Sequence, residues 1–561
     1  MKTNTKTQLL LIAYALSGVA ALVYQLGWIR ELSTMLGATA YASGIMLGAY
    51  MTGLGLGAVI GTVLARKELR HLLLASRVEL TIAAFSIVAF LGIRYLPSLY
   101  FDWMRTVGAQ SPTGFLSLQF ATCFLVMILP TCAMGMTYPL IVRAVGRDET
   151  IGAVSAKLYA VNTAGAILGA LLATFAFLPA VGVKGALLLA AVFSVAAAWL
   201  FRALASKEVN LLSFFKSPDM AVALVIVAII AVIPPRTTSP LGLGQVFYYR
   251  NAAAFEELAG QREILYDQEG IYSRVQVVRN PNGTRTLING ALDEGTDNDF
   301  DRVTTAMIAA VPAMSVEASS SALVVGLGTG YTSQTYYDMG FDKTTTIEIN
   351  PEVLPASYFF IDWDSIAQER WHVEVDDARA YILTSPDMYV CISSEPSWPW
   401  SSGVAALFTQ EFMQAARSHL ELDGVYCQWL PNYLLNFEDV EMMYKTMRQV
   451  FERVDVWAIN FPGDDAAELL MVGYNDPNGL SQDVVKRRLD ELIEVGYFDN
   501  EFITPERITP YAEATRLEQA VSDPSVPLNT DNHSRLEYRV FWNFVERAFA
   551  PRAVTWGDNN E

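Results

Sequence analysis

Long apolar runs broken by short cationic loops fill the first 235 residues, and shorter alternating runs fill the rest. A membrane-crossing helix needs about 20 mainly apolar residues. Such runs lie at Leu9–Ile29, Ala42–Leu64, Leu72–Leu96, Leu118–Val142, Leu158–Leu178 and Gly185–Leu200. A shorter seventh, Met220–Ile233, follows Ser217-Pro218, which reads as an N-cap and a proline at the first helical position. The first run is too long for a signal peptide and others follow it, which predicts a retained helix. Glycines four apart (Gly44/Gly48, Gly53/Gly57/Gly61, Gly165/Gly169) predict close backbone packing between helices. Arg77, Glu79 and Lys157 lie within or at the ends of these runs. Charges within a membrane are functional candidates, and a predicted place near the cytoplasmic ends equally lets long side chains snorkel to water.

Beyond Arg236 the period changes. Ile271–Val278 and Arg285–Asn289 read as strands joined by a turn at Asn282-Gly283, so a small β-meander is expected. An apolar strand, Ala322–Val325, then runs into Gly326-Leu327-Gly328-Thr329-Gly330, a helical stretch and a second strand, Thr344–Ile349. That is a βαβ unit with a glycine-rich first turn, and Glu348 lies where an acid can hold a ribose diol. Further strands are expected at His372–Asp377, Tyr389–Ser393 and Gly424–Trp429. In an open α/β sheet ligands sit at the carboxyl ends of the strands. Gly326, Gly328, Gly330, Glu348, Asp377 and Glu395 are therefore expected to converge on a nucleoside site.

Composition sharpens the division. Residues 1–235 carry 16 basic and 8 acidic side chains, and residues 236–561 carry 23 and 50, giving net charges of +8 and −27. A half that acidic repels phosphate, so nucleic acid is not an expected partner. Four cysteines (Cys123, Cys132, Cys391, Cys427) and four histidines are scattered without metal-ligand spacing, and no structural metal is expected. Cys391 and Cys427 fall on strands expected to be adjacent; they read as buried small hydrophobes, with a disulfide conceivable only outside the cytoplasm. The expected architecture is an α-helical membrane bundle (1–235), a small β-domain with linker (236–300) and an α/β domain (301–561).

At these residues the chain resembles the spermidine synthase-like proteins fused to a multi-pass membrane region. The resemblance rests on Val324–Gly330, Ile347-Glu348-Ile349-Asn350-Pro351, Asp377-Ala378-Arg379 and Ser394-Glu395-Pro396-Ser397. It extends through Trp400–Ala405, Leu407-Phe408-Thr409, Asn529-Thr530-Asp531 and Leu536-Glu537-Tyr538, and in the apolar half through Leu22-Val23-Tyr24 and Leu158–Thr163. It implies a Rossmann-like domain of the S-adenosylmethionine (AdoMet) type with a small N-terminal β-domain. It also implies transfer of an aminopropyl group from decarboxylated AdoMet to an amine. Glu348 matches the ribose-binding acid, Asp377 the adenine-side acid, and Glu395 the acid that takes the proton from the amine. Decarboxylated AdoMet or AdoMet is then a co-substrate, with no permanently bound cofactor.

The chain departs from that pattern at three places. Thr329 replaces an aspartate of the glycine loop, Thr304-Thr305 stand where the family's amine pocket has Tyr-Gln or Tyr-His, and Trp398 replaces a second aspartate. Fewer carboxylates and a new indole point to a less cationic or bulkier acceptor. Trp398, Trp400 and Trp429 read equally as packing or as rings lining the site, and Asp376 as a solvated neighbour of Asp377. Two other functions stay open: an AdoMet-dependent methyltransferase, and a sensor or transporter that binds a nucleoside or polyamine without turnover. Homodimers are one assembly the soluble half allows. Ten loop cations fall on the N-terminal side of the apolar runs and four on the other, which predicts a cytoplasmic N-terminus in the inner membrane. Seven spans then place the acidic half outside the cytoplasm, and six place it inside.

Overall fold

The computed structural model describes residues 3–67, 70–106, 111–145, 151–206, 252–290, 292–461, 464–498 and 500–549, with isolated positions between 207 and 251. Apart from such isolated positions, the seventh expected segment, Met220–Ile233, lies outside the described residues. The chain divides into two compact units, Met1–Phe255 and Glu256–Glu561.

The first unit is helical: α1 (Thr3–Leu36), α2 (Ala40–Lys67), α3 (His71–Tyr95), the short α4 (Pro97–Thr106), α5 (Pro112–Val145), α6 (Ile151–Leu172) and α7 (Leu178–Ala205). Among the described residues, five helices are long and apolar enough to cross a membrane, the last being Gly152–Ala205 with 54 residues. The fifth and sixth expected spans run on as that single stretch. A π-helical turn at Ala173–Phe177 precedes Pro179, and Gly182 takes non-helical φ/ψ of 65° and 179°. Proline removes one intrahelical hydrogen bond and crowds the preceding turn, which accounts for the irregularity.

Glycine spacing sets the close contacts. A Cβ on Gly57 would lie 2.0 Å from the carbonyl oxygen of Cys132, and one on Gly61 2.7 Å from Met136 Cα, so α2 and α5 meet backbone to backbone. Gly165 and Gly169 do the same against the carbonyls of Ala15 and Val19. Gly44 faces open space and Gly48 makes only an ordinary contact, so the packing expectation fails for that pair. Arg77 and Lys157 are exposed, but Glu79 is only 1% exposed, which corrects the expectation that it snorkels to water.

The second unit holds two sheets. The smaller is the antiparallel meander β1 (Glu263–Glu269), β2 (Arg274–Arg279), β3 (Arg285–Asn289) and β4 (Leu292–Thr296). Its β2–β3 turn closes where Asn282-Gly283 placed it, with Gly283 at φ 89° and Asn280 N–H donating to the Thr284 carbonyl at 2.7 Å. The helix α8 (Asp299–Met314) follows, capped by Asn298, whose side chain accepts from Asp301 N–H.

The larger sheet has eight strands in the order β12-β10-β11-β9-β8-β5-β6-β7. Strands β5 (Ser321–Val325), β6 (Lys343–Glu348), β7 (Trp371–Val375), β8 (Tyr389–Ser394) and β9 (Leu420–Leu430) run parallel. β10 (Arg453–Phe461), β11 (Asp464–Tyr474) and β12 (Ile508–Pro510) complete it in antiparallel fashion. The chain leaves β5 toward β6 and β7 on one side and returns on the other through β8, so the strand order reverses between β5 and β8. That reversal opens a crevice at their carboxyl ends. Val303, Met307, Ile308 and Val311 of α8 pack into the core beside Val324, Val425, Leu470 and Val472. Cys391 and Cys427 are buried and unpaired on the neighbouring strands β8 and β9.

Candidate active site

The loop after β5 turns on three glycines with left-handed backbone: Gly326 at φ 96°, Gly328 at 51° and Gly330 at 92°. Side chains rarely adopt such angles, which explains the residue type. Space matters too, since a Cβ on Gly326 would lie 2.9 Å from the Glu395 carbonyl oxygen and one on Gly330 2.8 Å from Ile361 Cγ1. The loop feeds α9 (Tyr331–Asp338) directly.

Glu348 ends β6 beneath this loop and is 8% exposed. Its Oε2 accepts from Leu327 N–H at 3.0 Å and its Oε1 from Asn350 N–H at 2.8 Å. Backbone N–H groups of Gly328 and Ile349 also act on this carboxylate. Burial pushes its pKa up, and the backbone donors pull it back. Asp377 lies just past β7 and is exposed; its side chain accepts from Ala380 N–H at 2.9 Å and caps α10 (Ala378–Thr384). Asp376 is exposed beside it and accepts from Asp377 N–H, as a solvated neighbour would.

Glu395 follows β8, with its N–H donating to the Val325 carbonyl at 3.1 Å. Thr332 Oγ1 of α9 lies 2.6 Å from Glu395 Oε2 and 3.1 Å from the Thr305 carbonyl. One hydroxyl proton cannot serve both acceptors. When Glu395 is protonated it can donate to Thr332, which then donates to Thr305; when ionised it takes the Thr332 proton instead. Burial pushes the Glu395 pKa up to about 7, against the Thr332 hydrogen bond and aided by the charge of Asp301.

Three further carboxyl groups belong to this cluster and were not singled out in the sequence. Glu294 on β4 accepts from Ser397 Oγ at 2.8 Å and is pushed up to about 8 by burial, with Glu348, Asp293 and Glu395 adding to the shift. Glu468 on β11 accepts from Thr304 Oγ1 at 2.5 Å and is pushed up to about 7, again by burial first. Asp301 on α8 accepts from Thr296 N–H at 2.8 Å and is raised by burial. Their field is negative, and a cation entering it gains what the carboxyl groups lose by crowding one another. The expectation of a carboxylate-poor site therefore fails, because β4, α8 and β11 bring in Glu294, Asp301 and Glu468. Thr304 serves as the hydroxyl that holds Glu468. Trp398 is 4% exposed and packs edge-on against Trp400 and tilted against Phe544, with ring centroids at 5.5 and 5.6 Å, a packing role.

The small sheet is fastened to these loops. Asn350 Nδ2 donates to Ser273 Oγ at 2.9 Å, Tyr266 OH to Glu352 Oε2 at 3.2 Å, and Gly295 abuts Thr329. On the opposite flank Asn529 is fully buried, donating to the Phe408 carbonyl at 2.9 Å and accepting from Leu536 N–H at 3.1 Å. Asp531 pairs with Arg379 and accepts from Thr409 Oγ1 at 2.7 Å, which holds its carboxyl below the usual range. The Asn529-Thr530-Asp531 motif thus clamps the segment that follows Trp400.

Part of this chain is similar to known proteins. Residues 302–467 match the spermine/spermidine synthase domain. The polyamine aminopropyltransferase of Corynebacterium efficiens is 22% identical over 428 residues, which cover 74% of this chain and 76% of that protein. That of Oceanobacillus iheyensis is 23% identical over 429 residues, covering 73% and 72%. Among solved structures, the spermidine synthase of Thermotoga maritima aligns with a TM-score of 0.36 at 16% identity, over 46% of this chain and 84% of that one. The C-terminal region of this chain is a spermine/spermidine synthase domain, homologous to the polyamine aminopropyltransferases.

Proposed function

We propose that the chain is a membrane-anchored aminopropyltransferase that moves the aminopropyl group of decarboxylated AdoMet to an amine. The observation that carries this reading is the placement of Glu395, with a pKa near 7, beside a glycine loop and among three other acids. The loop and Glu348 take the adenosine portion, with Asp377 on the adenine side. An alkylammonium of pKa about 10 is not nucleophilic, so the acids first hold it and Glu395 then takes its proton. The amine lone pair forms a bond to the carbon next to sulfur. The carbon–sulfur bond breaks, its electron pair stays on sulfur, and neutral methylthioadenosine leaves. A sulfonium is a good leaving group already, so positioning and electrostatics supply most of the acceleration.

Thr329 keeps a second reading open, an AdoMet-dependent methyltransferase, because the loop lacks the acid that would hold a free aminopropyl ammonium. Full-length protein incubated with 1,4-diaminobutane and either decarboxylated AdoMet or AdoMet separates the two. Methylthioadenosine from the first donor alone is expected. Adenosylhomocysteine from the second would replace aminopropyl transfer by methyl transfer, and binding without either product would leave a sensor.

The five apolar helices support anchoring in a bilayer. Loop cations favour a cytoplasmic N-terminus, and a crossing by Met220–Ile233 puts the acidic unit outside the cytoplasm. Fourteen residues reach about 21 Å, short of a 30 Å core, so a start at Pro218 and local thinning complete the span. Alkaline phosphatase fused after Gly242 should be active; a silent phosphatase with a glowing fluorescent-protein fusion at the same point means a cytoplasmic enzyme.

A further inference from the structure

Helix α8 is fastened to the strand and helix beside the proposed base by two hydroxyls, and the two contacts differ in kind. Pro312 lies inside α8 and has no N–H, so the carbonyl of Ile308, one turn earlier, lacks its helical donor. Ser393 Oγ of β8 supplies one at 2.9 Å, and Tyr336 OH of α9 in turn donates to that oxygen at 2.8 Å. No group in this chain titrates near neutrality, so the fastening is permanent.

Thr305, a turn nearer the start of α8, is different. Its carbonyl keeps the Ala309 N–H as a helical donor, so the Thr332 hydroxyl at 3.1 Å is a second donor that it can lose without being orphaned. Thr332 is 3% exposed, which limits the access of water to its hydroxyl. Its other acceptor, Glu395 Oε2 at 2.6 Å, gains most when the carboxyl is ionised. Glu294 of β4, Asp301 of α8, Glu468 of β11 and the Cys427 thiol of β9 all act on the same carboxyl, and a negative charge on any of them opposes its ionisation. Leaving a buried carboxylate oxygen without its donor costs far more than leaving a helical carbonyl with one donor in place of two. The hydroxyl therefore follows the charge.

We propose that Thr332 is a positioning residue for the base: as Glu395 ionises, the Thr332 hydroxyl turns from the Thr305 carbonyl to Oε2, which eases the loss of the carboxyl proton and leaves Oε1 to face the amine. Thr332 keeps its own proton throughout. The inference rests on the reading of Glu395 as the base. Its test compares Thr332→Val, which keeps the shape and removes the hydroxyl, with Thr332→Ser, which restores it, in full-length protein in lipid nanodiscs. With decarboxylated AdoMet and 1,4-diaminobutane, Thr332→Val should move the acid limb of the rate up by about one pH unit or more, the loss of one hydrogen bond to a charged group. The rate near neutrality then falls about tenfold and is largely regained in alkali, and Thr332→Ser returns the limb toward its wild-type place. Infrared titration of the ligand-free protein reads the carboxyl directly. The protonated-carboxyl band that is lost in Glu395→Gln should persist to higher pH in Thr332→Val than in the wild type. That arm needs no turnover, so a wild type that makes no methylthioadenosine counts against the transfer reading alone. A limb and a band that stay in place in Thr332→Val, with a uniform fall in rate, make Thr332 a packing residue and overturn the proposal. A shift that Thr332→Ser does not reverse overturns it equally. If Thr332→Val does not fold, Thr332→Ala carries the same comparison.

Discussion

Replacing Glu395 with glutamine is expected to slow aminopropyl transfer by about 10²–10⁴, the usual contribution of a positioned general base. Shape and the approach of Thr332 are kept, while basicity is lost. The pH dependence distinguishes this loss from a packing defect. Glu395 acts only when deprotonated and burial holds its pKa at about 7. The wild-type rate should therefore be low in acid, reach half its plateau near neutrality and level off above. Glu294 and Glu468 titrate close by, so the wild-type limb belongs to the coupled group, but the surviving rate in Glu395→Gln should no longer follow it. Initial rates across pH, measured for both proteins with decarboxylated AdoMet, provide the check. Near-wild-type turnover in the variant would leave Glu395 a structural residue.

Glu348→Ala should have the second large effect, on binding. Two ribose hydroxyls would lose charge-assisted hydrogen bonds worth about 1.5–3 kcal/mol each, a loss of at least about a hundredfold in affinity. The same substitution strips the Leu327 and Asn350 amides of their acceptor, so the glycine loop itself loses support. Calorimetry with methylthioadenosine reads the first effect and thermal unfolding in parallel reads the second. Unchanged affinity would remove Glu348 from the nucleoside site, whatever happens to the melting temperature.

The parallel core was legible in the sequence for a physical reason. Strands such as Ala322–Val325 and Tyr389–Ser393 are buried on both faces, so they read as short apolar runs bounded by turn residues. The glycine loop and the acids at the strand ends, Glu348 and Glu395, could be placed from those boundaries. The acids on the other segments could not. β4, with Asp293, Glu294 and Gly295, is half-buried throughout and carries no apolar alternation. Glu468 sits in β11, a strand whose first residues are polar, and it reaches the cluster only because β11 pairs with β9 across the sheet. Thr304 was read as an aligned substitute, although its hydroxyl points to a partner 164 positions away. Glu79 misled in the opposite sense. Its position near a helix start suggested access to water, and only packing by α1 and α5 closes that route.

The separate origins of the two sides bear on how such an enzyme can diverge. Gly326 and Glu395 are locked together by the β5–β8 pairing, where the Glu395 N–H holds the Val325 carbonyl and its own carbonyl leaves no room for a Cβ. Drift at either position disturbs both the glycine loop and Glu395, the proposed donor site and base, so that part of the chain has little freedom. Glu294, Asp301 and Glu468 come from a meander strand, a helix and an antiparallel strand, separate from the β5–β8 pairing. On the proposed reading, lineages can retune which amine is accepted one segment at a time while the donor chemistry stays fixed, and relatives aligned on their parallel cores should differ most in the columns of these three acids.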